Sequence, residues 1–327
     1  MPISSVIAST GSYLPETVIS NHGLEKIPPS LAALIEQKTG VKTRRFAGPS
    51  QCTSDLAIAA AENCLVRVGF DPVRLDAVIL GTSSPDRIQP ATATRVQHKI
   101  GAVNAFAFDL NSVCSSGVYA LKVADAFIKS GYSQSILVVA AEIYSRYLDP
   151  KDFSTYPYFG DGAGAVLLTA AANTDRGLLY SLLKTDGQKA DVIQIPAGGT
   201  MLPYTRLENP KDVFFKMVGR EVYDFAVNEG TNIIEQIIRE AKVEKEEISY
   251  IVAHQANINI LKEISSRTGL PLEKFVVNLD RYGNTAAASV LIALDELLAS
   301  GQVKAGELIL LVAFGGGLSW GANLFRY

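Results

Sequence analysis

The sequence of 327 residues predicts an α/β protein made of two related halves. Three observations lead to this fold class: short apolar runs typical of buried strands, helical patterns between them, and a long internal repeat. Apolar residues make up 48% of the chain and charged residues 19%, which is enough apolar material for a large core. We therefore expect a well-packed globular protein.

Four apolar runs predict buried parallel strands. They lie at residues 75–83, 134–142, 248–255 and 307–316. These runs are too apolar for a sheet that has one face in water. Helical patterns occur between the runs, as over 55–69 and 218–241. Strands that alternate with helices are typical of parallel sheets.

An internal repeat divides the chain. Residues 108–142 resemble residues 277–316, and both segments predict a strand, a small-residue turn, an apolar helix, a Ser-Gly pair and a second strand. Upstream, residues 69–84 resemble residues 242–257 at about the same offset, near 170 residues. The repeat predicts a boundary near 172–177, which divides the chain into halves at 1–173 and 174–327.

In each half the small-residue turn precedes a helix that is apolar nearly all round. A helix of this kind must be buried, so the two helices are expected to pack together at the centre. Their N-termini would then lie near the strand ends, where open α/β sheets place their sites.

Cys114 lies at or just before the first of these helices. The field of a helix N-terminus lowers a thiol pKa and stabilises a nucleophilic thiolate. The alternative is that Cys114 is a small buried apolar residue in a turn. Cys52 and Cys64 lie in or beside an amphipathic helix, and we expect them to fill the core or the surface.

His254 and Asn284 are the other candidates for chemistry. His254 ends an apolar strand, and a polar group at the carboxyl end of a buried strand belongs to the crevice, although a satisfied core histidine is the alternative. Asn284 occupies the turn that the repeat matches to the neighbourhood of Cys114, where a lone Asn usually caps a helix. The repeat brings all three residues to equivalent strand ends. His22 and His98 are expected at the surface.

Two glycine-rich stretches, YFGDGAGAVLL at 158–168 and FGGGLSWGANLFRY at 314–327, suggest nucleotide binding at first sight. In each stretch a strand pattern follows the first glycines, whereas a phosphate loop needs a helix there. We interpret both as tight turns where the backbone approaches a ligand or a buried helix.

Charge and composition argue against several classes of protein. The net charge is −3 and the pI about 5.7, and no basic stripe indicates nucleic-acid binding. No apolar run approaches the roughly 20 residues needed to cross a membrane, and the N-terminus has no signal-peptide pattern. Three cysteines far apart predict no metal cluster and a reduced, cytoplasmic setting.

A set of motifs along nearly the whole chain resembles β-ketoacyl-acyl-carrier-protein synthase III, a condensing enzyme of the thiolase superfamily. The motifs are GSYLPE, TGVKTRR, CSSG, GDGAGAV, HQAN, LDRYGNTAAASV and AFGGGLSWG. The resemblance implies a thiolase-like, five-layered αβαβα fold with two pseudo-symmetric halves, and usually a homodimer. It thus agrees with the internal repeat.

The resemblance also implies the chemistry. Cys114 would accept an acyl group from acyl-CoA or an acyl-carrier protein, and a malonyl thioester on acyl carrier protein would then lose CO₂ and condense with it. His254 and Asn284 would complete the triad as donors to the malonyl thioester oxygen. The backbone N–H groups of Cys114 and Gly316 would form the other oxyanion hole. No metal or redox cofactor is implied.

Substrate-binding residues follow from the same resemblance. They are Leu34, Phe153, Arg220, Asn257, Ile88, Gln89 and Phe314. Leu34 replaces a tryptophan and Phe153 an arginine that hold the coenzyme A adenine in the family, and Asn259 replaces an arginine that helps carrier-protein docking. Arg220, Lys262 and Arg267 are basic residues that remain near this docking surface. Ile88 or Gln89 would reach the partner's acyl pocket and set chain length.

Three functions compete on this evidence. The chain is a fatty-acid-initiating synthase, a specialised relative that uses carrier-bound or longer acyl donors, or a non-catalytic subunit of a heterodimer. The intact set of Cys114, His254 and Asn284 argues against the third. The altered adenine site favours the second over the first.

Overall fold

Two β-sheets and the helices between and around them form the fold. The structure is a computed structural model that describes residues 3–24 and 27–327. The strands are β1 (Ile3–Tyr13), β2 (Thr17–Ser20), β3 (Thr43–Phe46), β4 (Ala77–Gly81), β5 (Phe106–Leu110), β6 (Ser135–Glu142), β7 (Gly162–Ala172), β8 (Gly177–Thr185), β9 (Ile193–Gln194), β10 (Lys216–Met217), β11 (Ile248–Ala253), β12 (Leu308–Gly315) and β13 (Ser319–Arg326). The helices are α1 (Pro29–Thr39), α2 (Thr53–Arg67), α3 (Thr92–Lys99), α4 (Ser116–Lys129), α5 (Gly219–Ala241), α6 (Ile258–Thr268), α7 (Leu279–Tyr282) and α8 (Ser289–Ala299).

The two sheets repeat the same strand order. The first sheet has the order β1-β7-β6-β4-β5, and the second has the order β8-β13-β12-β11. The four predicted strands are confirmed as β4, β6, β11 and β12, with β4 parallel to β6 and β11 parallel to β12. Both sheets are mixed, however, because β7 and β13 run antiparallel to their neighbours. The predicted helices are confirmed as α2 and α5.

Alternate residues of each sheet face different layers. In β6, Ile136 and Val138 face the central helices α4 and α8, whereas Leu137 and Val139 face α2. The strand β12 is divided in the same way between the central helices and an outer layer of α5 and α6. Because side chains alternate with a period of two, both faces of a buried sheet must be apolar. The result is the predicted five-layered αβαβα arrangement.

One strand of the predicted repeat is absent. The repeat predicted a strand like β5 at the start of the segment 277–316, but the described structure has an isolated bridge between Ile251 and Phe275 at this edge, followed by α7. The side chain of Gln255 takes the place of part of a ladder. Its Nε2 donates to the carbonyl of Val276, and its Oε1 accepts from the N–H of Asn278. These backbone groups are thus satisfied without a strand.

Two buried carboxylates tie the central helices to β1. Asp125 of α4 accepts a hydrogen bond from Ser5, and Asp295 of α8 accepts hydrogen bonds from Thr10 and Ser12. The two aspartates are almost completely buried. Helices from both halves of the repeat therefore hold the same strand.

The glycine-rich stretches make close contacts in the structure. A Cβ atom on Gly164 would lie 2.6 Å from Cβ of Leu291 in α8, so a side chain here would separate β7 from the central layer. This supports the interpretation of YFGDGAGAVLL as a stretch where backbone meets a buried helix.

Within the described residues, no helix is both long and apolar enough to cross a membrane.

Candidate active site

The structure brings Cys114, His254 and Asn284 to one cavity of about 130 Å³. Cys114 follows β5 and His254 follows β11, whereas Asn284 follows the short helix α7, where the strand expected from the repeat is absent. The rest of the lining is mostly apolar and includes Phe159, Ile193, Phe215, Met217, Val222 and Phe314. His22 and His98 are exposed, as predicted.

The predicted nucleophile lies in a short, constrained turn. Cys114 is the middle residue of a 3-10 turn, Val113–Ser115, and α4 starts immediately after it. Val113 has a φ of 48°, which is costly for a β-branched residue and is held by the surrounding turn. A Cβ atom on Gly315 would lie 2.7 Å from the backbone nitrogen of Cys114. Glycine at 315 therefore allows the end of β12 to pack against the backbone of Cys114.

The expected lowering of the thiol pKa is wrong for this structure. Burial raises the pKa of the Cys114 thiol, and the negative charge of nearby Glu142 raises it further. The helix N-terminus does not outweigh this because water is excluded from the turn, with Cys114 only 8% exposed. The thiol is therefore protonated in the resting protein, and a role as nucleophile would require it to lose that proton.

His254 follows β11 and is 2% exposed. Its Nδ1 lies 2.7 Å from Oγ of Ser289 at the start of α8, and its ring meets Phe314 edge-to-face at 5.3 Å. Burial lowers the pKa of the imidazole to about 3. It is therefore neutral at physiological pH, which suits a hydrogen-bond donor better than a general acid.

Asn284 has one fixed orientation. Its Oδ1 accepts a hydrogen bond of 2.8 Å from the N–H of Ala286, and its backbone pairs with Tyr158 and Gly160. With Oδ1 engaged, Nδ2 has no hydrogen-bond partner among the residues that the structure describes. Asn284 also lines the cavity, so its amide can donate to a bound oxygen.

The other predicted site residues divide into two groups. Asn257 and Phe314 line the cavity. Outside it lie Leu34, Phe153, Ile88, Gln89 and Arg220, which are all exposed, Ile88 at 81%. Gly316 is buried beside Val113 and Ile193, and its role as an oxyanion donor stays a prediction.

Glu142 is a residue that sequence reasoning missed. Its carboxylate is fully buried and accepts hydrogen bonds from the side chains of Thr82, Ser83 and Ser84 and from the backbone N–H of Ser83. Burial raises its pKa to about 7, although these hydrogen bonds lower it. Glu142 ends an apolar strand just as His254 follows one, so the same sequence signal could have found it.

An aromatic cluster was also missed. Tyr144 stacks on Phe159 with ring centroids 5.1 Å apart, and Phe215 meets both rings edge-on. These rings pack with Cys114 in one buried apolar cluster. The hydroxyl of Tyr144 lies 3.0 Å from Oγ of Ser83, which itself donates to Glu142. The cluster therefore rests on the Glu142 network.

We predict that Glu142 makes stability depend on pH. Because the folded state raises its pKa from 4.5 to about 7, the folded state binds the proton more tightly, and stability must fall as pH rises through this range. Between about pH 5 and about pH 8, the free energy of unfolding should fall by about 2–3 kcal/mol more in the wild type than in Glu142→Gln. Urea denaturation of both proteins across this range measures the difference. Equal slopes would contradict the prediction.

No group of three or more His, Cys, Asp or Glu side chains that could hold a metal ion occurs in the described ranges 3–24 and 27–327. Cys52 is half-buried and Cys64 is buried in α2.

Comparisons with known proteins show which family the chain belongs to. The family model of 3-oxoacyl-[acyl-carrier-protein] synthase III matches residues 108–187, and a second model, of the C-terminal part of this family, matches residues 238–327. The β-ketoacyl-[acyl-carrier-protein] synthase III of Xanthomonas campestris pv. campestris strain 8004 is 40% identical over 325 residues, 99% of each chain. The crystal structure of 3-oxoacyl-[acyl-carrier-protein] synthase III from Aquifex aeolicus VF5 has a TM-score of 0.91 and 37% identity, covering 99% of this chain and 100% of that one. The priming β-ketosynthase of the R1128 polyketide pathway has a TM-score of 0.89 and 29% identity, covering 98% and 96%.

A five-layered fold with a thiol, an imidazole and an amide around one apolar cavity defines the condensing acyltransferases of the thiolase-like class. Relatives that are 40% identical over nearly the full length identify the family within this class. The chain belongs to the β-ketoacyl-acyl-carrier-protein synthase III family, as its motifs predicted.

Proposed function

We propose that Cys114 is the acyl-accepting nucleophile of a decarboxylative condensation and that His254 and Asn284 are its hydrogen-bond donors. The observation that carries the proposal is the meeting of these three side chains in one apolar cavity. A cavity with a mostly apolar lining strengthens hydrogen bonds to a developing negative charge.

In the first half-reaction, the sulfur of Cys114 attacks the carbonyl carbon of an acyl thioester. The bond between acyl carbon and donor sulfur breaks, and the leaving thiolate takes the proton that Cys114 gives up. No external base is needed for this balance, which suits a thiol whose pKa is raised.

In the second half-reaction, a malonyl thioester loses CO₂. The electron pair of the broken carbon–carbon bond forms an enolate, whose oxygen would lie between the N–H groups of His254 and Asn284. The enolate carbon then attacks the carbonyl carbon of the acyl-cysteine, a carbon–carbon bond forms, and the bond to sulfur breaks. Cys114 leaves as a thiolate and takes a proton from water. The neutral imidazole can donate throughout this step because burial lowers its pKa to about 3.

Intact-mass spectrometry tests the function directly. The protein is incubated with a panel of acyl-CoA and acyl-carrier-protein thioesters, and the mass gain at Cys114 is measured for each. After malonyl-acyl carrier protein is added, the acyl group should leave Cys114, and a β-ketoacyl thioester should appear on the carrier protein. Absence of any covalent acyl group across the panel would contradict the proposal.

The second candidate function, a specialised relative that uses carrier-bound donors, is favoured by the positions of Leu34 and Phe153. Both are exposed, at 37% and 40%, and Leu34 offers an adenine apolar contact without an aromatic face. Base–aromatic stacking is worth about 1–3 kcal/mol in single-strand binders. Acyl carrier protein has no adenine to hold, so this loss does not affect it. Arg220, whose side chain is 94% exposed beside the cavity residue Gly219, is a candidate contact for the carrier.

We therefore predict that an acyl group on carrier protein acylates Cys114 with a kcat/KM roughly tenfold higher than the same group on coenzyme A. Rates of mass gain with one acyl chain on both carriers measure this ratio. As a matched control, Leu34→Trp should raise the coenzyme A rate and leave the carrier rate unchanged. A wild type that uses coenzyme A equally well would contradict the prediction.

We also propose a homodimer that forms through β5. This strand is the outer edge of the first sheet, and all five of its residues are half-buried. Phe106 of this edge packs against Phe108, Phe127 and the 71% exposed Tyr132. An apolar edge strand of this kind favours pairing with a second copy. The exposed Ile88 would then be available to the partner's cavity.

Light scattering at micromolar concentration should give a dimer for the wild type and a monomer for Phe108→Lys. The reason is that a charge on the proposed interface strand must be desolvated in the dimer. Val66→Lys, at a 78% exposed position of α2, should remain dimeric. A dimeric Phe108→Lys protein that melts like the wild type would exclude β5 as the interface.

The proposed halves of the chain, 1–173 and 174–327, are supported by the sheets. Strands of the first sheet end at Ala172, and the second sheet starts at Gly177. The halves thus differ in which sheet they build, although they share the central helical layer.

A further inference from the structure

Ser289 is the polar contact of the His254 ring. Its Oγ lies 2.7 Å from Nδ1, and the two residues are buried, with exposed fractions of 1% and 2%. Among the described residues, Oγ of Ser289 makes no other hydrogen bond. This contact therefore decides which nitrogen of the imidazole carries the proton.

The two possible directions of this hydrogen bond differ in cost. If Nδ1–H donated to Oγ, the hydroxyl proton of Ser289 would be buried without an acceptor, which is unfavourable. If the hydroxyl donates to Nδ1, its proton is satisfied and the imidazole proton must be on Nε2. Because burial keeps the ring neutral, one nitrogen must lack a proton.

The other half of the repeat shows what a serine at this position does without a histidine. Ser116 is the first residue of α4, as Ser289 is of α8, and each follows a 3-10 turn of three residues. Oγ of Ser116 donates to the carbonyl of Val113 at 2.7 Å and accepts from the N–H of Ser112 at 2.8 Å. Ser289 makes neither backbone bond in the part of the chain that the structure describes, so its hydroxyl is free for His254.

We propose that Ser289 is a positioning residue that donates its hydroxyl proton to Nδ1 of His254 and so keeps Nε2 as an N–H donor. This inference rests on the proposed function, in which that N–H stabilises the enolate. The same turn also orients Asn284, whose Oδ1 accepts from the N–H of Ala286. One turn at the start of α8 thus sets the direction of both predicted donors.

The kinetic test compares Ser289→Ala with the wild type in two separate assays. Release of CO₂ from the malonyl thioester should fall about five- to tenfold, the effect of losing one neutral hydrogen bond. Acylation of Cys114 should change less than twofold, a small part of that effect. Ser265→Ala is the matched control, because the hydroxyl of Ser265 in α6 donates to a backbone carbonyl, that of Leu270 just after this helix, and not to His254. It should leave the ratio of the two rates unchanged.

Nitrogen NMR of histidine-labelled protein tests the tautomer without any activity. In the wild type, the His254 signals should show an unprotonated Nδ1 and a protonated Nε2, and Ser289→Ala should shift them toward a mixture. His254→Ala identifies the signals, and the exposed His22 and His98 serve as internal references. A protonated Nδ1 in the wild type would overturn the proposal, and so would equal losses in both assays with unchanged signals. If instead His254→Ala leaves CO₂ release intact, the proposed function fails, whatever tautomer is found.

Discussion

Replacing Cys114 by alanine should abolish covalent acylation and overall condensation while the protein stays folded. Without the sulfur, no acyl-enzyme forms, and loss of a covalent nucleophile removes the whole two-step route. The fold should survive because the corresponding turn in the second half, Ala286–Ala288, already has alanine at its middle position, Ala287. Intact mass after incubation with an acyl donor measures the first effect, and thermal unfolding measures the second.

Cys52→Ser is the matched control for this experiment. Cys52 precedes α2 as its N-cap residue, where serine is well tolerated. Its acylation should equal that of the wild type. Should Cys114→Ala still gain an acyl group at the normal rate, the nucleophile is another residue.

Removing either predicted donor should separate the two half-reactions. His254→Ala and Asn284→Ala should each lower the release of CO₂ from the malonyl thioester by about 10²–10³. Acylation of Cys114 should fall far less, because the proton balance of that step does not involve these residues. The two N–H groups are expected to share one oxygen, so the double variant should lose less than the product of the single losses.

Separate assays of acylation and CO₂ release decide this division of roles. His98→Ala, a change at an exposed histidine, should leave both rates unchanged. Equal losses in the two half-reactions would show that His254 and Asn284 support the cavity as a whole.

Much of the fold could be predicted because its strands are apolar on both faces. The runs that became β4, β6, β11 and β12 are buried between layers, and their composition shows it. The absence of an edge strand from the second sheet could not be predicted, because this absence depends on the side-chain hydrogen bonds of Gln255. A side chain that satisfies the backbone in place of a strand leaves no periodic signal.

The site was predictable where polar residues end apolar runs, as with His254. Glu142 carries the same signal at the end of β6, but its importance depends on the three hydroxyls that surround it. The raised pKa of the Cys114 thiol was not predictable. The sequence indicates that Cys114 lies at a helix N-terminus, which lowers a thiol pKa, but it does not show how deeply the thiol is buried, which raises the pKa. The direction of the Ser289 hydroxyl likewise depends on contacts between distant segments.

The attachment of β1 by Asp125 and Asp295 has a consequence for how the chain becomes a protein. Asp295 and Thr10 are 285 residues apart, and this bond joins the beginning of the first sheet to the shared central layer. A nascent chain that has emerged only as far as β7 has its own sheet but lacks the helix that covers part of it. The two proposed halves are therefore not independent units of stability. Folding must wait for nearly the whole chain to leave the ribosome, and unfolding should be a single cooperative event.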